Sequence, residues 1–187
     1  MDKRRGRRKE RGTRKMEKTA SLGEARRETA PIHIVLYQPE IAANVGAVGR
    51  TCVGVGAKLW LVRPLGFQID DRKLKRAGLD YWPELDWEAV DDWSALLRRM
   101  SETKNAVVSE TDFYYFTKKA ARDYDAVEYR LGDVFVFGPE SRGLPDSFWE
   151  TKPERGLRIP IRPQIRSLNL SVSVAVASFE ARRQLRF

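Results

Sequence analysis

Asp133-Val134-Phe135-Val136-Phe137 runs directly into Gly138-Pro139-Glu140-Ser141-Arg142-Gly143-Leu144-Pro145, and this stretch decides the fold. Four consecutive apolar residues predict a buried strand, and the Gly/Pro-rich segment after them predicts a loop at its carboxyl end. In open α/β sheets, ligands bind in the crevice at that end of the strands. A carboxylate and a guanidinium held between glycines favour a binding loop over a plain turn.

A second unusual segment follows about twenty residues later, RSLNLSVSVAVASFE at 166–180. It is typical of a helix of small residues that opens on a polar cluster. Free backbone N–H groups at a helix start bind anions or ligand carboxylates, although Ser167, Leu168 and Asn169 have helix capping as an alternative role. The two segments, one after the other, suggest a small-molecule pocket.

The order of predicted elements indicates the fold class. Strands alternate with helices, and the strands lack the two-residue period of half-exposed β structure, which indicates an α/β fold with a mostly parallel sheet covered on both faces. The predicted strands are 32–37, 58–62, 105–109, 133–137 and 156–160, and the predicted helices are 44–55 (capped by Asn44), 70–79, 91–100 and 168–184.

The net charge of +9 over 187 residues is concentrated at the amino end. Residues 1–30 hold twelve Lys/Arg against five Asp/Glu, whereas residues 31–187 hold 23 against 21. We predict that 1–30 is a disordered basic extension, because it has too few large apolar side chains to offset its ordering entropy. Such a polycation most often binds nucleic acid, and a merely solubilising extension is the alternative.

Several classes of site are disfavoured by what the chain contains. One histidine, His33, and one cysteine, Cys52, assemble neither a hydrolytic triad nor a metal cluster, so no metal is expected. No Gly-x-Gly-x-x-Gly opens a helix, and there is no Walker lysine. No apolar run is long enough to span a bilayer, so no membrane association is expected, and a single cysteine fits a reducing cytoplasm.

A polar motif, Asn44-x-Gly46-x-x-x-Arg50, follows the first predicted strand. It places Arg50 nearly two helical turns beyond Asn44, close to the carboxyl edge of the sheet. Taken alone, the motif fits an ordinary capped helix with a surface arginine better than a site.

Three segments in this order, NVGAVGR at 44–50, GPESRGLP at 138–145 and Ile159-Pro160 followed by RSLNLS at 166–171, resemble the motifs of the SPOUT superfamily of RNA methyltransferases. The resemblance covers residues 31–187. Residues 76–81, RAGLDY, further resemble the branch that methylates the ribose 2′-hydroxyl of the tRNA wobble nucleotide, cytidine or uridine. The chain departs from that branch in its long basic extension and in Val172, where some relatives carry a second asparagine.

This resemblance implies a Rossmann-like sheet with a carboxyl-terminal deep trefoil knot, bound S-adenosylmethionine and a homodimer whose active sites are completed across the interface. It implies a tRNA substrate, with ribosomal RNA, another tRNA position, or a non-catalytic RNA-binding or ribosome-assembly role as alternatives. Carried onto this chain, the implied catalytic residues are Arg50, Asn44, Glu140 and Asn169, and the implied cofactor contacts are Ser109, Gly138, Ile159, Ser167 and Leu168.

Overall fold

A computed structural model describes residues 30–68, 81–104, 109 and 112–187. These residues form an α/β fold around a seven-stranded sheet in the order β3-β2-β1-β6-β4-β7-β5, and every strand pair is parallel. The strands are β1 (Ile32–Tyr37), β2 (Lys58–Val62), β3 (Trp87–Val90), β4 (Phe113–Phe116), β5 (Arg122–Asp123), β6 (Asp133–Phe137) and β7 (Gly156–Arg158), and the helices are α1 (Ala42–Val55), α2 (Trp93–Lys104) and α3 (Leu170–Leu185).

The sequence predicted the central strands better than the peripheral ones. The predictions 32–37, 58–62 and 133–137 are confirmed with the same bounds, and 156–160 is shortened to β7. Strands β3, β4 and β5 were not predicted. The β4 segment is four aromatic residues long and lies close to the predicted strand 105–109, of which only Ser109 lies within the described residues, outside any strand. The predicted helix 70–79 also lies outside the described residues.

The predicted helix at 44–55 begins two residues earlier, and its predicted cap is wrong. Ile41 occupies the N-cap position of α1 without a side-chain cap, and Asn44 lies inside the first turn. The Asn44 side chain is instead engaged by a carboxylate from another loop. Helix α3 starts at Leu170, two residues after the predicted start, because the Asn169 side chain caps it by accepting from the Ser171 backbone N–H.

The sheet is covered on both faces, as the strand pattern predicts. Alternate residues of β1 contribute to two separate cores, because successive side chains of a strand point to opposite faces. Ile32, Ile34 and Leu36 pack in the cluster that includes α1 and α3, whereas Val35 packs in the cluster that includes α2. In the described part of the chain, no helix has both the length and the apolar character needed to cross a membrane.

The sheet order brings four loops to one edge. Strands β1, β6, β4 and β7 are consecutive neighbours, and all run in the same direction. The segments that leave their carboxyl ends therefore meet on the same side of the sheet. That is where ligands bind in open parallel sheets.

Candidate functional site

A cavity of about 570 Å³ lies at this carboxyl edge. Its size falls within the range of small-molecule sites, which are mostly apolar with a few placed polar groups. The loops after β1, β4, β6 and β7 and the first turn of α3 form its walls. The apolar lining includes Phe116, Phe137, Leu144, Leu157, Ile159 and Leu170, and the polar lining includes Asn44, Lys118, Lys119, Glu140, Arg142, Arg166, Ser167 and Asn169.

Three polar residues from the three motifs form one hydrogen-bonded chain on this wall. Asn44 Nδ2 donates to Glu140 Oε1 over 2.8 Å, and Asn169 Nδ2 donates to Asn44 Oδ1 over 2.9 Å. Asn169 Oδ1 in turn accepts from the Ser171 backbone N–H over 2.8 Å. The Glu140 carboxylate can only accept when ionised, so it fixes the orientation of both amides. Residues 44, 140 and 169, far apart in sequence, are thereby joined.

Two glutamates link the turn after β1 to the loop after β6, and each accepts hydrogen bonds from the other segment. Glu140 also accepts from the backbone N–H groups of Glu40 (2.8 Å) and Ile41 (3.3 Å). In return, Glu40 accepts from the hydroxyl of Ser141 (2.7 Å) and from its backbone N–H (2.9 Å). These bonds from Ser141, together with the charge of Arg142, lower the pKa of Glu40 below its usual range. The two loops are therefore clamped together.

The loop after β6 is too tight for a side chain at its first residue. A Cβ atom built on Gly138 would lie 2.2 Å from the backbone nitrogen of Leu144 and 2.4 Å from the carbonyl carbon of Gly143. Gly143 itself adopts a left-handed conformation with φ of 71°, which favours glycine. Its N–H donates to the Pro139 carbonyl over 2.8 Å and closes the turn.

Four of the five predicted cofactor contacts lie on this cavity. Gly138, Ile159, Ser167 and Leu168 are among its lining residues. Ser109 is not: it is exposed, and its backbone N–H donates to Asp112 Oδ2 over 3.3 Å.

Arg50 does not line this cavity in the single chain. It lies six residues beyond Asn44 on α1, which turns its side chain roughly 120° around the helix axis. It borders a separate concavity of about 400 Å³, together with Tyr81, Phe179 and small residues of α1. Its guanidinium carbon lies 4.9 Å from the centroid of the Tyr81 ring. The structure thus brings three of the four predicted catalytic residues together and leaves Arg50 apart from them.

Comparison with known proteins explains the joint presence of the three motifs. A family model described as SpoU rRNA Methylase matches residues 31–179. The chain belongs to this family. A tRNA (cytidine(34)-2'-O)-methyltransferase from Methylovorus glucosotrophus is 43% identical over 152 residues, which cover 81% of this chain and 94% of that protein.

Two solved structures share the fold of this chain. One, studied for the 2-OH methylation of C/U34 on tRNA, is 43% identical with a TM-score of 0.72 and covers 83% of this chain and 91% of its own. An AdoMet-bound rRNA methyltransferase from Sinorhizobium meliloti has a TM-score of 0.69 at 21% identity, over 84% of this chain and 57% of its own, and so shows the fold alone.

The one histidine and the one cysteine of this SpoU chain have structural roles. His33 is buried on β1, where its Nδ1 accepts a hydrogen bond from the Trp60 indole N–H over 3.2 Å. Cys52 is buried in α1, and burial raises the pKa of its thiol because the charged form is desolvated. Among the described residues, no cluster of three or more His, Cys, Asp or Glu side chains is placed to hold a metal ion.

The sequence did not identify every residue that shapes the site. Glu40 was not singled out, although an acidic residue directly after a strand and Pro39 is a recognisable pattern at a carboxyl edge. Lys118 and Lys119 line the cavity from the turn after β4, and the prediction missed them because it missed β4 itself. Tyr81 ends the RAGLDY segment at 76–81, but no sequence pattern predicts its contact with Arg50.

Glu140→Gln is predicted to destabilise the site through the amide chain. The new NH2 group cannot accept, so a donor at Glu40, Ile41 or Asn44 loses its partner, at a cost of about 1–3 kcal/mol. An inverted Asn44 would turn its NH2 toward that of Asn169, which is itself fixed by Ser171. We expect a lower midpoint in thermal unfolding.

Glu150→Gln is the matched control for this prediction. Glu150 is exposed, and the same carboxylate-to-amide change there should leave the unfolding midpoint unchanged. Equal midpoints for Glu140→Gln and the unmodified protein would mean that the carboxylate does not orient the two asparagines.

Proposed function

We propose that this protein transfers a methyl group from S-adenosylmethionine to the ribose 2′-hydroxyl of the wobble nucleotide, cytidine or uridine 34, of a tRNA. The observation that carries the proposal is the hydrogen-bonded chain of Asn44, Glu140 and Asn169 on the wall of a ligand-sized cavity. Membership of the SpoU family supports methyl transfer to RNA, and the relatives named for cytidine 34 support this acceptor nucleotide.

The chemistry of the cavity fits S-adenosylmethionine. Apolar walls at Phe137, Leu157 and Ile159 suit an adenine ring, and the amino end of α3, the positive end of its helix dipole, suits a carboxylate. Gly138 and Leu144 bring backbone close to the cavity, where a side chain at 138 has no room. We propose that Gly138, Ile159, Ser167 and Leu168 contact the cofactor. Ser109 is a fifth proposed contact, supported by the family resemblance alone.

The bound cofactor supplies an electrophilic methyl group on a sulfonium. The ribose 2′-hydroxyl would accept that methyl group and would lose its proton to phosphate or water. A guanidinium is essentially never deprotonated in proteins, so Arg50 acts as a fixed cation rather than as a base. It stabilises the developing alkoxide, while Asn44, Glu140 and Asn169 keep the cavity wall in place.

We propose a homodimer in which Arg50 of one subunit faces the cofactor cavity of the other. Arg50 borders a different concavity from the one that holds the cofactor, so a single chain is incomplete for the reaction. Phe179, on α3 beside Arg50, is 55% exposed, and Val172 on the same helix is 46% exposed. Apolar side chains left in water on one helix are typical of an interface.

We also propose the deep trefoil knot that the family resemblance implies, formed by the chain after β6. The segment after β7 and the loop 138–145 line the same cavity, which supports close passage of these two segments. A cytoplasmic location follows from a tRNA substrate and agrees with the buried, unpaired Cys52.

Nucleoside mapping after incubation with labelled S-adenosylmethionine and total tRNA tests the proposed function. We expect label in a 2′-O-methylated cytidine or uridine and loss of labelling in transcripts with a purine at position 34. Label in ribosomal RNA, which the family description leaves open, or at another tRNA position would redirect the substrate assignment. No heat of binding on titration with S-adenosylmethionine would instead support a non-catalytic RNA-binding protein.

Deletion of residues 1–30 is predicted to leave the cofactor affinity unchanged and to weaken tRNA binding. This segment carries twelve of the 35 Lys/Arg residues, and each phosphate neutralised adds about 0.7–0.9 to the slope of log affinity against log salt. Filter binding at several salt concentrations measures that slope, which should become shallower. Replacement of the twelve cations by glutamine separates charge from length, and an unchanged slope would exclude a role for the extension in RNA binding.

A further inference from the structure

Tyr81 contacts Arg50 and the helix that carries it. The Tyr81 hydroxyl donates to the Gly46 carbonyl of α1, and the Arg50 guanidinium lies over the Tyr81 ring, with its carbon 4.9 Å from the centroid. We propose that Tyr81 is a positioning residue that holds the Arg50 guanidinium in its reactive orientation. This inference rests on the proposed role of Arg50 in methyl transfer, and it adds a residue to that site.

Tyr81 is connected to Arg50 through the backbone as well as through the ring. In an α-helix the carbonyl of residue i accepts from the N–H of residue i+4, so Gly46 is the helical acceptor for Arg50. A carbonyl oxygen has two lone pairs and can serve both donors. The Tyr81 hydroxyl therefore bonds to the carbonyl that fixes the Arg50 backbone, while its ring contacts the Arg50 side chain.

The segment after Tyr81 packs closely against α1. A Cβ atom on Gly49 would lie 3.0 Å from Leu85 Cδ2 and 3.1 Å from Trp82 Cζ3, so Gly49 permits this close approach. The Trp82 ring also packs on Trp87 of β3, with centroids 5.4 Å apart. This packing of Trp82 and Leu85 fixes the position of the neighbouring Tyr81 relative to α1, as its proposed orienting role requires.

An aromatic ring orients a cation without neutralising it. Within residues 30–68, 81–104, 109 and 112–187, Arg50 forms no ion pair with a carboxylate, and its side chain is exposed. A carboxylate partner would restrict the guanidinium equally well but would cancel the charge that the developing alkoxide needs. The face of a ring attracts the cation through its quadrupole and leaves the N–H donors at the edge free for substrate oxygen.

Single-turnover methylation of tRNA by three variants tests the inference. We expect Tyr81→Leu to slow the reaction about tenfold, which corresponds to a cation–π contact that becomes partly desolvated. Tyr81→Phe keeps the ring and should stay within about threefold of the unmodified enzyme, since only a hydroxyl contact is lost. Added to Arg50→Ala, Tyr81→Leu should cost less than about twofold more, because its effect passes through Arg50.

A measurement without substrate or cofactor gives a second readout. The Arg50 side-chain protons should show an aromatic ring-current shift in the NMR spectrum, assigned by its loss in Arg50→Lys. The shift should persist in Tyr81→Phe and disappear in Tyr81→Leu. Phe187→Leu, which removes the ring 5.7 Å from the Arg182 guanidinium carbon, is the matched control and should leave the Arg50 signals and the rate unchanged.

Two outcomes would overturn the inference while leaving the proposed function standing. One is a normal methylation rate in Tyr81→Leu together with a reduced rate in Arg50→Ala, because Arg50 would then act without being oriented by the Tyr81 ring. The other is a full tenfold loss from Tyr81→Leu in the Arg50→Ala background, because Tyr81 would then act independently of Arg50. Normal methylation by Arg50→Ala itself would overturn both the role of Arg50 and that of Tyr81.

Discussion

Single-turnover methylation by Arg50→Ala is expected to be at least about a hundredfold slower than by the unmodified enzyme, with S-adenosylmethionine affinity unchanged. Loss of one preorganised charge contact to a developing oxyanion costs on the order of 3 kcal/mol in the activation free energy. The cofactor affinity should hold because the proposed contact of Arg50 is to the ribose oxygen, and Arg50 is not among the residues proposed to bind the cofactor. Rapid-quench assays with saturating enzyme measure the rate, and calorimetry measures the affinity.

Two further variants make this result specific. Arg98→Ala removes an exposed arginine from α2 and should have no effect, which controls for a general loss of positive surface charge. Arg50→Lys keeps the charge but not the planar fork, so a large loss in this variant as well would show that the guanidinium geometry matters. A rate near that of the unmodified enzyme for Arg50→Ala would exclude Arg50 from the reaction.

Mixing of two inactive variants tests whether Arg50 serves the cavity of the partner subunit. A heterodimer of Arg50→Ala with a cavity variant such as Gly138→Ala contains one composite site with both changes and one with neither. Because a two-fold dimer has two equivalent sites, random mixing should restore about a quarter of the full activity. No restoration, with heterodimers demonstrated by tag capture, would place Arg50 and the cavity of one chain in the same site.

The central part of the fold could be predicted from sequence because its signals are local. Apolar runs such as 134–137 are buried on both faces, and a Gly/Pro-rich loop marks where this one ends. Two of the strands that were missed lack such signals: β5 is two residues long, and β4 consists of four aromatic residues with no glycine or proline beside them. Their place in the sheet depends on neighbours that are distant in sequence, with β4 pairing between β6 and β7.

The candidate site was predictable in its residue types but not in its geometry. Asn44 appeared to be a helix cap, since an asparagine before a helical run is a common cap, but its amide serves a chain of hydrogen bonds. That bond joins residues 96 positions apart, and no local pattern encodes it. The position of Arg50, outside the cavity of its own chain, likewise depends on how α1 is rotated about its own axis relative to the sheet.

Gly138→Ala should damage the cavity more than any other single methyl group added to the loop after β6. The new Cβ atom would lie 2.2 Å from the Leu144 nitrogen and 2.4 Å from the Gly143 carbonyl carbon, and both are backbone atoms. The loop must therefore move, at a cost of about 3 kcal/mol in the free energy of unfolding, the upper end for overpacked sites. Thermal unfolding and cofactor titration measure the two effects.

We expect this movement to reach the chemistry, because Glu140 lies two residues beyond Gly138 and orients Asn44. A displacement of about 1 Å at a reacting centre can cost roughly a hundredfold in rate. Gly143→Ala is the matched control: nothing lies within 4 Å of its Cβ position, and only its left-handed φ of 71° is strained. Its cost should stay near about 1 kcal/mol. Equal damage from both variants would show that backbone conformation, rather than space beside Gly138, limits this loop.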